Sequence, residues 1–173
     1  LLTLHPVVGN DKENIALSAL IHSLTDVTTR HYIIIGCNSD DGNSVIRAAI
    51  SQCQQKSNVQ LYPNIRFEHY LTLLEHAEIA IGNSSSFVRE APVFGTYSII
   101  PGTRQRDRTQ APSVCYTGTA NIDVERAIEE KPMKVTASQF FGSVDSVDKI
   151  HYGLLEIFKE KSAKDKVFVF NDL

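Results

Sequence analysis

The run from Ala80 to Arg104, AIGNSSSFVREAPVFGTYSIIPGTR, constrains this chain more than any other stretch. A short apolar segment, Ile79 to Ile81, stops at Gly82. Asn83, Ser84, Ser85 and Ser86 follow, and a helical pattern then opens with Phe87, Val88, Ala91 and Phe94. A strand that breaks at glycine and enters a helix through serines gathers free backbone N–H groups, hydroxyls and the positive end of a helix dipole. All three favour an anion, most often a phosphate. A plain N-cap would use one such side chain, and here there are three serines. Glu90 lies further along the same helix, placed to accept hydrogen bonds from sugar hydroxyls. Arg104 follows the next apolar strand, where its planar fork of donors can clamp a second phosphate. Together these residues read as a site for a ribosyl diphosphate.

The rest of the chain supplies a frame for that site. Leu1–Leu4 reads as a strand ended by His5-Pro6. Asn14 to Leu24 carries apolar residues at Ile15, Leu17, Leu20, Ile21 and Leu24, a helical period. Tyr32–Ile35 is a continuous β-branched run, as in a strand buried on both faces. Past Gly36 and the Asn38–Gly42 turn, a helix runs through Val45, Ile46, Ala49 and Ile50. Val59–Tyr62 is a strand, Phe67–His76 a helix, Tyr97–Ile100 and Val114–Tyr116 strands, and Asp123–Glu130 a helix. Pro132 to Val144 shows no clear period; Val147–Phe158 is a last amphipathic helix, trailed by a charged tail. This alternation predicts an α/β, Rossmann-like, mostly parallel sheet with helices on both faces. In such sheets ligands bind beyond the carboxyl ends of the strands. His5, Asn38, the Pro63-Asn64-Ile65 turn, Gly82–Ser86 and Gly102–Arg104 are the first residues past five strands, so distant loops converge on one rim.

Composition removes several classes of function. At 173 residues the chain is expected to form one domain, 1–173. It opens inside a strand-like run without an initiator methionine, as expected of a piece of a longer protein. A net charge of −3 argues against general nucleic-acid or membrane-surface binding. No segment reaches the roughly 18 apolar residues of a membrane span. Cys37, Cys53 and Cys115 are odd in number and form no CxxC, which predicts reduced thiols in a cytoplasmic protein. The histidines lack metal-ligand spacing, and no metal site is expected. With neither GxGxxG nor GxxxxGK[ST], an NAD site and a P-loop are both unsupported.

With that order of loops in place, the sequence resembles a known family. HPV at His5–Val7, the Asn-x-Asp turn at Asn38–Asp40, IGNSSSFVREAPVFGT and GTRQ are similar to the C-terminal domain of hydrolysing UDP-N-acetylglucosamine 2-epimerases of sialic-acid-type biosynthesis. The likeness is dense from His5 to Arg108 and thinner afterwards. It implies the C-terminal half of a GT-B fold, with UDP and a UDP-N-acetylhexosamine as ligands and no cofactor. It also implies a partner N-terminal domain carrying the proton-transfer carboxylates, and it leaves room for a homo-oligomer. By the same resemblance Ser84 and Ser85 hold the diphosphate, Glu90 takes the ribose hydroxyls and Arg104 steadies the phosphates. The backbone around Ile65 meets the uracil edge, and Asn38 and Asp40 lie beside the diphosphate and sugar. His5 stands on the leaving-group side as the catalytic candidate of this chain. Non-hydrolysing relatives carry His-Arg where this chain has His5-Pro6, which favours the hydrolysing branch. Phe87 replaces a small residue of the relatives, and its ring is expected to narrow the pocket. The implied reaction removes the C2 proton, expels UDP by anti elimination and hydrates a glycal-like intermediate to N-acetylmannosamine. A GT-B glycosyltransferase and a non-catalytic UDP-sugar-binding module fit the same loops. Release of free sugar distinguishes the epimerase from the glycosyltransferase, and a preceding Rossmann-like domain with Asp and Glu at its strand ends would favour the enzyme.

Overall fold

Glycine, proline and Asx turns end the strands of this chain, and the computed structural model, which describes residues 1–108, 111–133 and 135–159, puts those ends on one edge. The elements are β1 (Leu2–Thr3), α1 (Asp11–Thr25), β2 (Tyr32–Ile35), α2 (Asn43–Cys53), β3 (Val59–Tyr62), α3 (Phe67–His76), β4 (Ile79–Gly82), α4 (Ser85–Arg89), α5 (Ala91–Phe94), β5 (Tyr97–Pro101), β6 (Val114–Thr117), α6 (Asn121–Glu129) and α7 (Ser146–Lys159). The six strands lie in the order β3-β2-β1-β4-β5-β6, and every pairing is parallel. This is the doubly wound order, with its switch point between β1 and β4. The expected α/β fold class is the one observed, and the sheet is parallel throughout.

Side chains on a strand alternate between its two faces, so a sheet covered on both sides needs two cores. Ile81 and Ile99 belong to the core beneath α1, α2 and α6, which contains Leu17, Leu20, Ile21, Ile46, Ile50 and Val124. Their neighbours Ala80 and Ile100 belong to the opposite core, with Leu74, Phe87, Val88 and Ala91 from α3, α4 and α5. β1 and β4 approach so closely that a Cβ at Gly82 would run into the carbonyl of Thr3. With φ at +147°, the position favours glycine on backbone grounds as well.

Three local features differ from the sequence expectation. Helix α1 begins at Asp11 because Asn10 caps it, its side chain accepting from the N–H of Glu13 at 3.2 Å. The serine-capped helix is two short helices, because Pro92 has no N–H to continue the ladder and instead opens α5. Phe87 does not narrow a pocket: its ring is fully buried in the core beside Val88 and Ile100. The hydrophobic turn of α4 claims it, because the ring lies on the sheet side of the helix.

Residues Leu1–Phe140 form one compact unit and Phe141–Leu173 a second, of which α7 is the described helix. The charged tail beyond α7 and residues 109–110 of the GTRQRDRTQ loop lie outside the described residues. Among the described residues no helix is long and apolar enough to cross a membrane.

Phe87 packs the serine-bearing turn onto the sheet, so truncation should be costly. Phe87→Ala is expected to destabilise the chain by about 3–5 kcal/mol in a denaturant titration. A loss under about 1 kcal/mol would return the ring to the ligand side.

Candidate functional site

Asn83 is the first residue past β4 and is fully buried. A buried amide needs partners for its donors and acceptor, and Asn83 finds them in the loop after β1. Its Oδ1 accepts from the N–H of His5 at 2.7 Å, and its Nδ2 donates to the carbonyl of His5 at 2.8 Å. The backbone carbonyl of Asn83 accepts from Arg104 Nη1 at 3.1 Å and from Gln105 Nε2 at 2.9 Å. One residue thus ties together the loops after β1, β4 and β5.

His5 is oriented from the other side. The backbone N–H of Asn38, in the loop after β2, donates to His5 Nδ1 at 3.1 Å. Nδ1 is therefore the acceptor, and the ring proton belongs on Nε2. Burial, helped by the Arg104 charge and opposed by Asp40, lowers the His5 pKa to about 4. The imidazole is consequently a neutral hydrogen-bond donor near pH 7. It can stabilise charge growing on a phosphate oxygen without carrying charge itself.

Asn38 Nδ2 donates to Asp40 Oδ2 at 2.5 Å, and the same oxygen lies 3.5 Å from Arg104 Nη2. His5, Asn38, Asp40 and Arg104, spread over ninety-nine positions of sequence, therefore form one connected cluster around Asn83. Arg106 and Arg108 do not join it. They line a separate cleft of about 560 Å³ with Tyr116, Thr117 and Gly118.

Ser84 is the N-cap of α4, its Oγ accepting from the N–H of Ser86 at 3.4 Å. Ser86 Oγ lies 3.2 Å from Ser84 Oγ and is hydrogen-bonded to the Tyr70 hydroxyl. The Ser85 hydroxyl makes no hydrogen bond among the described residues. Because α4 has five residues, its dipole is weaker than the sequence suggested, and anion affinity falls on the N–H groups, hydroxyls, His5 and Arg104.

Glu90 occupies the joint between α4 and α5. Its Oε2 is buried without a hydrogen-bond partner. Burial pushes the Glu90 carboxyl above its ordinary range. Burial likewise pushes the Tyr70 hydroxyl up to about 12, with the Glu90 charge adding to the effect. A desolvated, unpaired carboxylate oxygen costs stability, and donated hydrogen bonds would relieve it. Ile65 lies half-buried in the loop after β3, two strands from β1, with no bond to the cluster.

Sequence reasoning missed Gln105 and Tyr70, and it named Asn83 and Ser86 only as members of the serine turn, without the bonds by which they tie loops together. Asn83 stood in plain view as the first polar residue after a buried strand. Tyr70 could not be told from its apolar neighbours on α3, because only the fold sets its hydroxyl beside the serines. Among the described residues no group of three or more His, Cys, Asp or Glu side chains could hold a metal ion.

The acceptor role of Nδ1 and the low pKa make one spectroscopic expectation. His5 should keep the neutral, Nε2-protonated pattern in ¹⁵N-resolved NMR from pH 7 down to about 5. A midpoint near the ordinary 6.5 would remove both the burial and the Asn38 contact from the account.

Comparison with known proteins gives these loops a context. A family model described as UDP-N-acetylglucosamine 2-epimerase matches residues 1–154. A UDP-N-acetylglucosamine 2-epimerase of Neisseria meningitidis serogroup B is 32% identical over 126 residues, which are 73% of this chain and 33% of the relative. A hydrolysing GDP/UDP-N,N'-diacetylbacillosamine 2-epimerase of Campylobacter jejuni is 29% identical over 126 residues, covering 71% of this chain and 33% of that protein. This chain thus spans about a third of the length of these curated relatives. Among solved structures, Neisseria meningitidis UDP-GlcNAc 2-epimerase bound to UDP-GlcNAc matches with a TM-score of 0.69 at 18% identity, over 90% of this chain and 44% of that one. The Methanocaldococcus jannaschii enzyme, in complex with UDP-GlcNAc and UDP, gives a TM-score of 0.69 at 16% identity over the same shares.

Proposed function

This chain belongs to the UDP-N-acetylglucosamine 2-epimerase family, and from that premise we propose that it is the UDP-binding, C-terminal domain of a hydrolysing UDP-N-acetylglucosamine 2-epimerase. The observation that carries the reading is the buried, unpartnered Oε2 of Glu90 in the helix pair opened by Ser84. A ribose offers two adjacent hydroxyl donors, which suit a carboxylate better than they suit any neutral acceptor. A diphosphate attached to that ribose would meet the serine turn, the Nε2–H of His5 and the free donors of Arg104. The solved relatives whose names include UDP or UDP-GlcNAc support the same ligand class. The Campylobacter jejuni relative, named as hydrolysing, and the His5-Pro6 pair support the hydrolysing branch.

In this reading the domain serves the leaving group. Expelling UDP places negative charge on the diphosphate, and preorganised donors are each worth about 3–4 kcal/mol in such a transition state. His5 supplies a neutral donor, Arg104 a fixed cation, and Ser84 and Ser85 hydroxyls and backbone N–H groups. Asn38 and Asp40 hold His5 and Arg104 in place, and Ile65 offers backbone to the uracil. The base for the C2 proton comes from the other domain of the longer enzyme. The reaction belongs to a cytoplasmic route to an N-acetylhexosamine of sialic-acid type, and no cofactor is needed.

Two expectations follow from that division of labour. This chain should bind UDP with a Kd between micromolar and millimolar, about 4–8 kcal/mol, by calorimetry. It should yield no N-acetylmannosamine from UDP-N-acetylglucosamine, since in this reading the base belongs to the other domain; turnover by the purified chain would contradict this.

Glu90→Gln tests the carrying observation. The variant keeps the shape but loses the charge and one acceptor oxygen. UDP affinity should fall at least about tenfold, which is ~1.4 kcal/mol. A carboxyl whose pKa is raised on folding weakens the native state at neutral pH and less so as pH falls. The neutral variant should therefore melt at the wild-type temperature or slightly above it. Wild-type affinity in the variant would remove ribose recognition from this rim.

A further inference from the structure

Glu13 is buried, with 8% of its surface exposed, although it lies in the first turn of a helix where a carboxylate normally reaches water. It is also a charge that the ligand reading leaves without a task. Its two oxygens are fully engaged. Oε1 accepts from the backbone N–H of Thr103 at 2.5 Å, and Oε2 accepts from Thr103 Oγ1 at 2.6 Å and from Asn10 Nδ2 at 2.8 Å. Asn10 in turn accepts from the N–H of Glu13, so cap and carboxylate hold each other. A buried carboxylate is tolerable only with such a set of donors. Two of its three bonds go to the residue just before Arg104.

Gly102 completes the joint. Its φ is +85°, and a Cβ there would collide with Glu13 Oε1. The carboxylate thus packs directly on the backbone of the turn. The next residue of α1, Asn14, grips the opposite loop: its Oδ1 accepts from the N–H of Val7 at 2.7 Å and its Nδ2 donates to the Val7 carbonyl at 3.1 Å. One turn of α1 therefore holds the His5 loop with one side chain and the Arg104 loop with the next.

We propose that Glu13 is the positioning residue for Arg104: by fixing Gly102 and Thr103 it sets where the guanidinium meets the phosphates of a nucleoside diphosphate. Glu13 reaches the ligand only through that loop. The inference rests on the UDP-binding reading above and adds a residue to it.

The test is a double-mutant cycle with UDP as the probe, read by NMR titration on this chain. Glu13→Ala should weaken UDP binding at least tenfold. In an Arg104→Ala background the same substitution should change affinity less than twofold, because the arginine it positions is already absent. Glu13→Gln, which keeps the shape but sets an amide donor against Asn10 Nδ2, should give a smaller loss with the same dependence on Arg104. It carries the cycle if Glu13→Ala does not fold. Wild-type affinity in both Glu13 variants overturns the inference and leaves the UDP reading standing. An equal loss with and without Arg104 also overturns it, since Glu13 would then act on the fold at large. Failure of the unsubstituted chain to bind millimolar UDP removes the UDP reading and this inference together.

Discussion

The pair of hydrogen bonds between the Asn83 side chain and the His5 backbone is the constraint on which the candidate site depends. A doubly wound sheet diverges at its switch point, and the loops after the two central strands have no ladder to hold them. Asn83 replaces the ladder there. Its amide mimics a strand partner for His5, giving one donor and one acceptor to the chain that has just left β1. Neither group can be left unpaired at full burial without a penalty of about 1–3 kcal/mol each. The carbonyl of Asn83 then fixes Arg104 and Gln105 from the β5 side. Loops that are neighbours only because of the strand order become one rigid surface.

That surface was half legible in the sequence. The strands were, because each is a short apolar or β-branched run ended by a turn: Tyr32–Ile35 before Gly36, Val59–Tyr62 before Pro63, Tyr97–Pro101 before Gly102. The rule that ligands sit past the carboxyl ends of parallel strands then named His5, Asn38, Asp40 and Arg104, which the structure joins by direct contacts. What escaped was everything that depends on direction. Phe87 could face the pocket or the sheet, and only the turn of α4 decides for the sheet. Tyr70 reads as core on α3, yet its hydroxyl meets Ser86. Glu13 falls just before the helical period read from Asn14, and only the return of the β5 loop over α1 turns it into a buried clasp. Periodicity reports which face a residue occupies and says nothing of which distant loop crosses that face.

The electrostatics of the rim bear on the diphosphate of the proposed reading. The chain as a whole is acidic, with a net charge of −3, so any attraction for a diphosphate is local. In the proposed reading Arg104 supplies it, and its charge is shared with Asp40 at 3.5 Å, a contact in which Asp40 is 44% exposed. A partly exposed pair of this kind is worth at most about 1 kcal/mol. A phosphate competing for the guanidinium therefore gives up little, while a bidentate Arg–phosphate contact is among the stronger interactions available to a side chain. Asp40 also accepts from Asn38, so Arg104 is not its sole partner. His5 contributes by remaining neutral. In the proposed reading a protonated imidazole would bind ground-state UDP more tightly and hold the product, whereas a neutral Nε2–H would strengthen its bond as charge develops on the leaving oxygen. The burial that keeps His5 neutral and the partly exposed partner of Arg104 are thus two parts of one arrangement, and in the proposed reading both serve a departing diphosphate.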